Sequence, residues 1–197
     1  MDQNGDTNVN EALALLSADD VTEDAARQAF KLFQKAARKH DAQACYYLGS
    51  CFDQGIGTRR SLKKAFDYYE QAAKAGHAES MYNLYLMLRD GDGIKQDEKK
   101  AWKWLKAAAA EGDAEALSDM GYCYQTGSLI KANPKSAFEH YRKAAQKGCL
   151  RAQWNLALCY AEGIGVDPSP RWYKHWMTKA ADNGHEAAAE IAGQEFS

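Results

Sequence analysis

Five cysteines and five histidines are the side chains of this chain best able to ligate a metal or act as nucleophiles. The cysteines are Cys45, Cys51, Cys123, Cys149 and Cys159, and the histidines are His40, His77, His140, His175 and His185. Zinc needs its ligands at short, paired spacings. No HExxH occurs, and no Cys/His set has zinc spacing. No Gly-x-Ser-x-Gly is present, and no Ser, Cys or Thr has an identifiable base. A third candidate is the Gly-x-Gly of CFDQGIGT (51–58) and CYAEGIGV (159–166). A phosphate-binding loop joins a strand to a helix and carries Lys-Ser or Lys-Thr after its last glycine. Neither stretch does.

The elements around these residues explain them better. The sequence matches itself when shifted by 36 residues. Ala-Ala recurs at 36–37, 72–73, 108–109, 144–145 and 180–181. Gly76, Gly112, Gly148 and Gly184 form a second column, and Gly55, Gly91, Gly127 and Gly163 a third. Leu48, Leu84, Met120 and Leu156 form a fourth. Such a period marks a repeat architecture. Each unit reads as two helices. AESMYNLYLMLRD (78–90) places Ala78, Met81, Leu84, Tyr85 and Leu88 at helical spacing and stops at Gly91. The second helix starts at a repeated N-cap, namely Ser61, Asp97, Asn133 and Ser169. Pro134 and Pro170 follow two of these caps, at the first helical position. The glycine pairs are therefore helix-to-helix turns. In the third unit Leu129 replaces the second glycine, which predicts a turn of different shape.

The register also reassigns the cysteines. Cys51, Cys123 and Cys159 share a column with Met87, and Cys45 shares one with Met81 and Leu117. Columns that accept Cys, Met or Leu are core columns. Cys149 aligns with Asp41, His77, Asp113 and His185, so it is expected to be exposed and open to reaction. His77 and His185 are expected to cap helices at inter-repeat turns.

Bulk composition narrows the function classes. The chain has 197 residues, 25 Lys and Arg against 27 Asp and Glu, and a net charge of −2. That balance gives no electrostatic case for nucleic acid or an anionic membrane. No apolar run approaches the length that spans a bilayer. The start MDQNGDTNVNEALALLSADD is acidic and polar, unlike a secretory signal, so a cytoplasmic location is expected.

The pattern A-x-x-x-x-x-L-G-x-x-Y-x-x-G-x-G, then K-A-x-x-Y-Y-x-x-A-A-x-x-G, resembles the Sel-one-like repeat family, relatives of the tetratricopeptide repeat. The first unit carries it through Ala42, Leu48, Gly49, Phe52, Gly55, Gly57, Lys64, Ala65, Tyr68, Tyr69, Ala72, Ala73 and Gly76. The resemblance implies an all-α, right-handed α-solenoid of paired antiparallel helices that works as a non-catalytic scaffold for protein–protein interaction. Bacterial members of this class include regulators and toxin-immunity proteins. A cysteine-rich branch of the family binds and hydrolyses β-lactams, and is the enzymatic alternative. Its paired cysteine falls where this chain has alanine. No cofactor and no metal are implied.

The expected organisation is a flexible stretch at 1–8 and a degenerate capping repeat at 9–40. Four repeats follow at 41–76, 77–112, 113–148 and 149–184, and a capping helix covers 185–197. The fourth repeat departs most, with Tyr173 in the column of Ala65, Ala101 and Ala137. In tetratricopeptide-like folds the first helices line the concave face. Here they carry a second stripe beside the core stripe, and its members are the candidate partner-binding residues. In the first two repeats these are Tyr46, Asp53, Glu79, Tyr82, Leu86 and Arg89. In the last two they are Glu115, Tyr122, Arg151, Trp154 and Leu158. Aromatics that the core does not need are typical interface anchors. The acidic excess of the stripe suits a protein or peptide with apolar anchors and some basic residues.

Overall fold

The structure, a computed structural model, describes residues 3–18, 20–38 and 41–195. His40 and Phe196, which fall in the expected capping segments, lie outside the described residues. Every regular element among the described residues is helical: α1 (Gln3–Leu16), α2 (Glu23–Ala37), α3 (Ala42–Gln54), α4 (Leu62–Lys74), α5 (Ala78–Asp90) and α6 (Glu98–Ala110) come first. Then follow α7 (Ala114–Thr126), α8 (Pro134–Gln146), α9 (Leu150–Glu162), α10 (Pro170–Asp182) and α11 (Glu186–Glu195). Helix α1 begins at Gln3, ahead of the start expected at residue 9. No helix among the described residues is long and apolar enough to cross a membrane.

The helices form two compact units, Met1–Ala107 and Ala108–Ser197. In the first, α1 packs on α2, α2 on α3, α3 on α4 and α4 on α5. In the second, the same succession runs from α7 to α11. The repeating columns are the core. Ala36, Ala72, Ala108, Ala144 and Ala180 are fully buried, as are Leu84 and Leu156. Cys45, Cys51, Cys123 and Cys159 are buried as their columns predict. Burial pushes the Cys51 and Cys159 thiols up to about 12, because a thiolate is poorly solvated there.

Size complementarity locks each helix pair. A Cβ on Gly49 would stand 2.7 Å from the Tyr69 ring, and one on Gly121 2.6 Å from the Tyr141 ring. Where the second helix offers Leu105 or Met177 instead, the first helix fills the space with Tyr85 or Ala157. The share of the volume taken by each partner thus differs from repeat to repeat. In the fourth repeat Tyr173 is half-buried and packs on the edge of the core, where its smaller counterparts are fully buried.

The turns follow the capping logic. Gly55 takes φ 78° and donates its N–H to the Cys51 carbonyl, ending α3 in the left-handed conformation glycine adopts without a Cβ penalty. A Cβ on Gly165 would fall 2.1 Å from the Pro134 carbonyl oxygen, so this turn lies directly on the start of α8. The third turn has one positive-φ glycine, Gly127, where the others have two, in line with Leu129 replacing the second. Asp97, Asn133 and Ser169 accept from the backbone N–H three residues on, whereas Ser61 makes no such bond.

Cys149 corrects the sequence reading. It is 4% exposed, and its Sγ accepts from the Ala152 N–H at 3.4 Å. The N-cap column demands a side chain that bends back onto the first turn, so the position is covered rather than open. Burial raises its thiol above the ordinary value and disfavours the reactive thiolate.

Candidate protein-binding surface

In the first unit the stripe is built by α3 and α5. Tyr46 stacks on His77, one repeat further on, with ring centroids 4.5 Å apart and planes 26° apart. Burial, and then the neighbouring Glu79 carboxylate, push its phenol up to about 12. His77 caps α5: Nδ1 accepts from the Ser80 N–H at 3.3 Å. Burial lowers the ring's pKa, against the opposing pull of Glu79 and Asp41. Tyr82 is half-buried beside Tyr85, with centroids 5.7 Å apart.

Arg89 makes a bidentate pair with Asp90, both contacts at 2.7 Å, and lies over the Tyr85 ring at 5.3 Å. That pairing raises the guanidinium's pKa and lowers the carboxyl's. Asp53 lies 3.8 Å from Arg60, whose Nε donates to the Asp53 carbonyl oxygen at 2.6 Å. Asp53, Leu86 and Arg89 then meet around one cavity of about 210 Å³, shared with Leu62, Tyr69, Asn83, Met87, Asp90 and Asp92. With Arg89 paired to Asp90 and Arg60 beside Asp53, the further carboxylate of its wall is that of Asp92. Leu62, Leu86 and Met87 supply its apolar side.

In the second unit the stripe is built by α7 and α9. Arg151 bridges Glu115 at 3.0 Å and Asp119 at 2.6 Å. Trp154 stacks on His185, with centroids 4.6 Å apart and planes 5° apart. His185 also caps α11, accepting from the Ala188 N–H at 3.3 Å. Leu158 is half-buried against the core. Tyr122 is 56% exposed, more than the other large apolar residues described as exposed, Val21 and Trp172.

The stripe therefore divides into two kinds of residue. Tyr46 and Trp154 are half-buried and stack on the next repeat's histidine, and Arg151 pairs with carboxylates of the preceding repeat. Tyr122, Leu86, Asp53 and Glu79 retain accessible surface. Sequence reasoning missed Asp119, which is 5% exposed, and the cavity residues Asn83 and Asp92. A signal existed: Tyr47, Asn83, Asp119 and Asn155 form another 36-residue column with a hydrogen-bonding group in every member. It also missed Gln153, fully buried in the Cys45, Met81, Leu117 column. Its Oε1 accepts from Asn183 Nδ2 at 2.8 Å and its Nε2 donates to the Ala145 carbonyl at 3.4 Å.

The family model described as the Sel1 repeat matches residues 8–41, 42–77, 78–113, 114–149 and 150–185. The chain belongs to the Sel1 repeat family. The first matched repeat, 8–41, covers the segment expected to be a degenerate cap. A Sel1 repeat protein from Oxalobacter formigenes is 26% identical, with TM-score 0.79 over 97% of this chain and 87% of that one. A protective antigen of uropathogenic Escherichia coli with an SLR fold is 25% identical, with TM-score 0.81 over 98% of this chain; the match spans 41% of the antigen. An immunity protein from Pseudomonas aeruginosa shares the fold at 22% identity and TM-score 0.66, over 97% of this chain and 69% of that one. No curated protein matches the sequence. The Sel1 repeat chain is thus an all-α repeat protein of the SLR solenoid class, typical of protein–protein interaction scaffolds.

Proposed function

We propose that this Sel1 repeat protein is a non-catalytic, cytoplasmic adaptor that binds another protein or peptide through the exposed stripe of its first helices. The observation that carries the reading is the cavity where Asp53 of one repeat meets Leu86 and Arg89 of the next. Its size suits one side chain. Its apolar side matches a methylene stem, and its Asp92 carboxylate matches a cationic head, as in a lysine or arginine. Tyr122 supplies a separate aromatic anchor, of the kind that dominates binding energy at interfaces. The Pseudomonas relative is named as an immunity protein, and occlusion of a toxin is one form that such binding takes.

Affinity capture from the native cell with the wild-type chain and with Asp92→Lys tests the proposal. A partner held by the wild type and lost by Asp92→Lys supports it. A partner held equally by both removes the cavity from the interface. Nitrocefin turnover by the pure protein would instead favour the enzymatic alternative.

A further inference from the structure

We propose that the outer face of α10 is a second interaction surface, of opposite polarity, that docks an acidic segment of a partner protein with Trp172 as its apolar anchor. Arg171, Lys174, His175, Thr178, Lys179 and Asp182 line a shallow concavity of about 540 Å³ along this helix. Three permanent cations thus face a single carboxylate. Trp172 beside them is 43% exposed.

The second helices α4 and α8 each hold one ion pair on their surface, and α6 one at its start. Lys74 pairs with Glu70 at 2.8 Å on α4, Lys100 with Asp97 at 3.3 Å at the start of α6, and Arg142 with Glu139 on α8 at 2.6 Å. On α10, among the described residues, Arg171 and Lys179 have no carboxylate partner. Each lies over an indole instead, Arg171 over Trp172 at 5.8 Å and Lys179 over Trp176 at 5.1 Å. A cation–π contact fixes the cation without cancelling its charge. The rings are themselves held in place: Tyr160 stacks on Trp172 at 6.1 Å, and His175 packs edge-on against Trp172 at 5.4 Å and Trp176 at 5.2 Å. The surface is accordingly pre-ordered, which lowers the entropy lost on binding.

A polar end face that merely kept a repeat array soluble would need the charges but not the tryptophan. The 172 column is Lys64, Lys100 and Ser136 in the other repeats, so an indole at this position is particular to α10. Arginine and tryptophan are enriched in interface cores, and a planar guanidinium matches a carboxylate in two-point contact.

The test is fluorescence anisotropy of a labelled peptide of alternating Asp and Glu with one central Phe. Its Asn/Gln counterpart, a single-stranded oligonucleotide and phosphatidylserine vesicles serve as competitors. The wild type is expected to bind the acidic peptide in preference to the other three. Trp172→Ala, and Arg171→Glu with Lys179→Glu, are each expected to weaken binding about tenfold or more. Lys99→Glu with Lys103→Glu, the same charge change on α6, and Asp92→Lys in the first-helix cavity are expected to leave it within about twofold. Should Trp172→Ala lower the helical circular dichroism, the exposed pair Arg171→Gln and Lys179→Gln carries the comparison. Absence of peptide binding, equal loss in the α6 control, or preference for the oligonucleotide or the vesicles would overturn the proposal.

Discussion

At the scale of single residues, the packing of this protein is set by what stands one helix or one repeat away. Gly121 is small because Tyr141 occupies the volume its side chain would need. Gly121→Val is expected to lower stability by about 1–3 kcal/mol, the usual effect of overpacking, read from urea denaturation. Double replacement with Tyr141→Leu, which copies the Tyr85 and Leu105 pairing of the second repeat, should recover part of that loss. His77 titrates. Burial holds its folded-state pKa below the unfolded value of 6.5, so the unfolded chain binds the proton first as pH falls. The stability contributed by the neutral ring is complete above 6.5 and is lost as pH drops through the lower folded value. Protonation also removes the Nδ1 lone pair that caps α5. Thermal melts between about pH 4 and 8 should show this decline in the wild type and a shallower one in His77→Asn, which keeps a capping oxygen but does not titrate. Equal slopes would remove His77 from the pH dependence.

At the scale of the helix, capping and burial govern cysteine reactivity. Cys149 sits at the start of α9 but is buried, and the other four thiols lie in core columns. Ellman's reagent should therefore react slowly with the native protein and release all five thiols only on unfolding; rapid modification of one thiol per chain, mapped to Cys149, would contradict the buried cap. The helices themselves were legible in the sequence because the 36-residue columns fix their register, and each core column is met again in the folded chain. The contents of the binding stripe were less legible. Tyr46 and Trp154 lie on the predicted stripe and each also stacks on a histidine, His77 or His185, 31 positions away in both cases. A one-helix pattern cannot reveal such a partner. Gln153 breaks its apolar column for a similar reason, since Asn183 satisfies it from the turn after α10.

At the scale of the whole molecule, repetition makes the chain modular. Stability in such arrays is approximately a sum of unit and neighbour terms. Removing residues 77–112 joins Gly76 to Asp113 in register, and the product is expected to remain soluble and helical by circular dichroism. A deletion of the same length displaced by half a repeat should behave identically, because any 36-residue excision keeps the register; a deletion of 18 residues should not, and equal tolerance of both lengths would deny the repeat. The acidic and apolar stripe of the first helices is the surface proposed to bind the partner. Its most direct test is the Kd of a captured partner for the wild type, for Leu86→Ala with Asp92→Lys, and for Lys103→Glu on the exposed side of α6. The cavity variant should weaken binding by about tenfold or more with its circular dichroism unchanged, while Lys103→Glu binds as the wild type does. A correctly folded cavity variant that binds as tightly as the wild type would contradict the account.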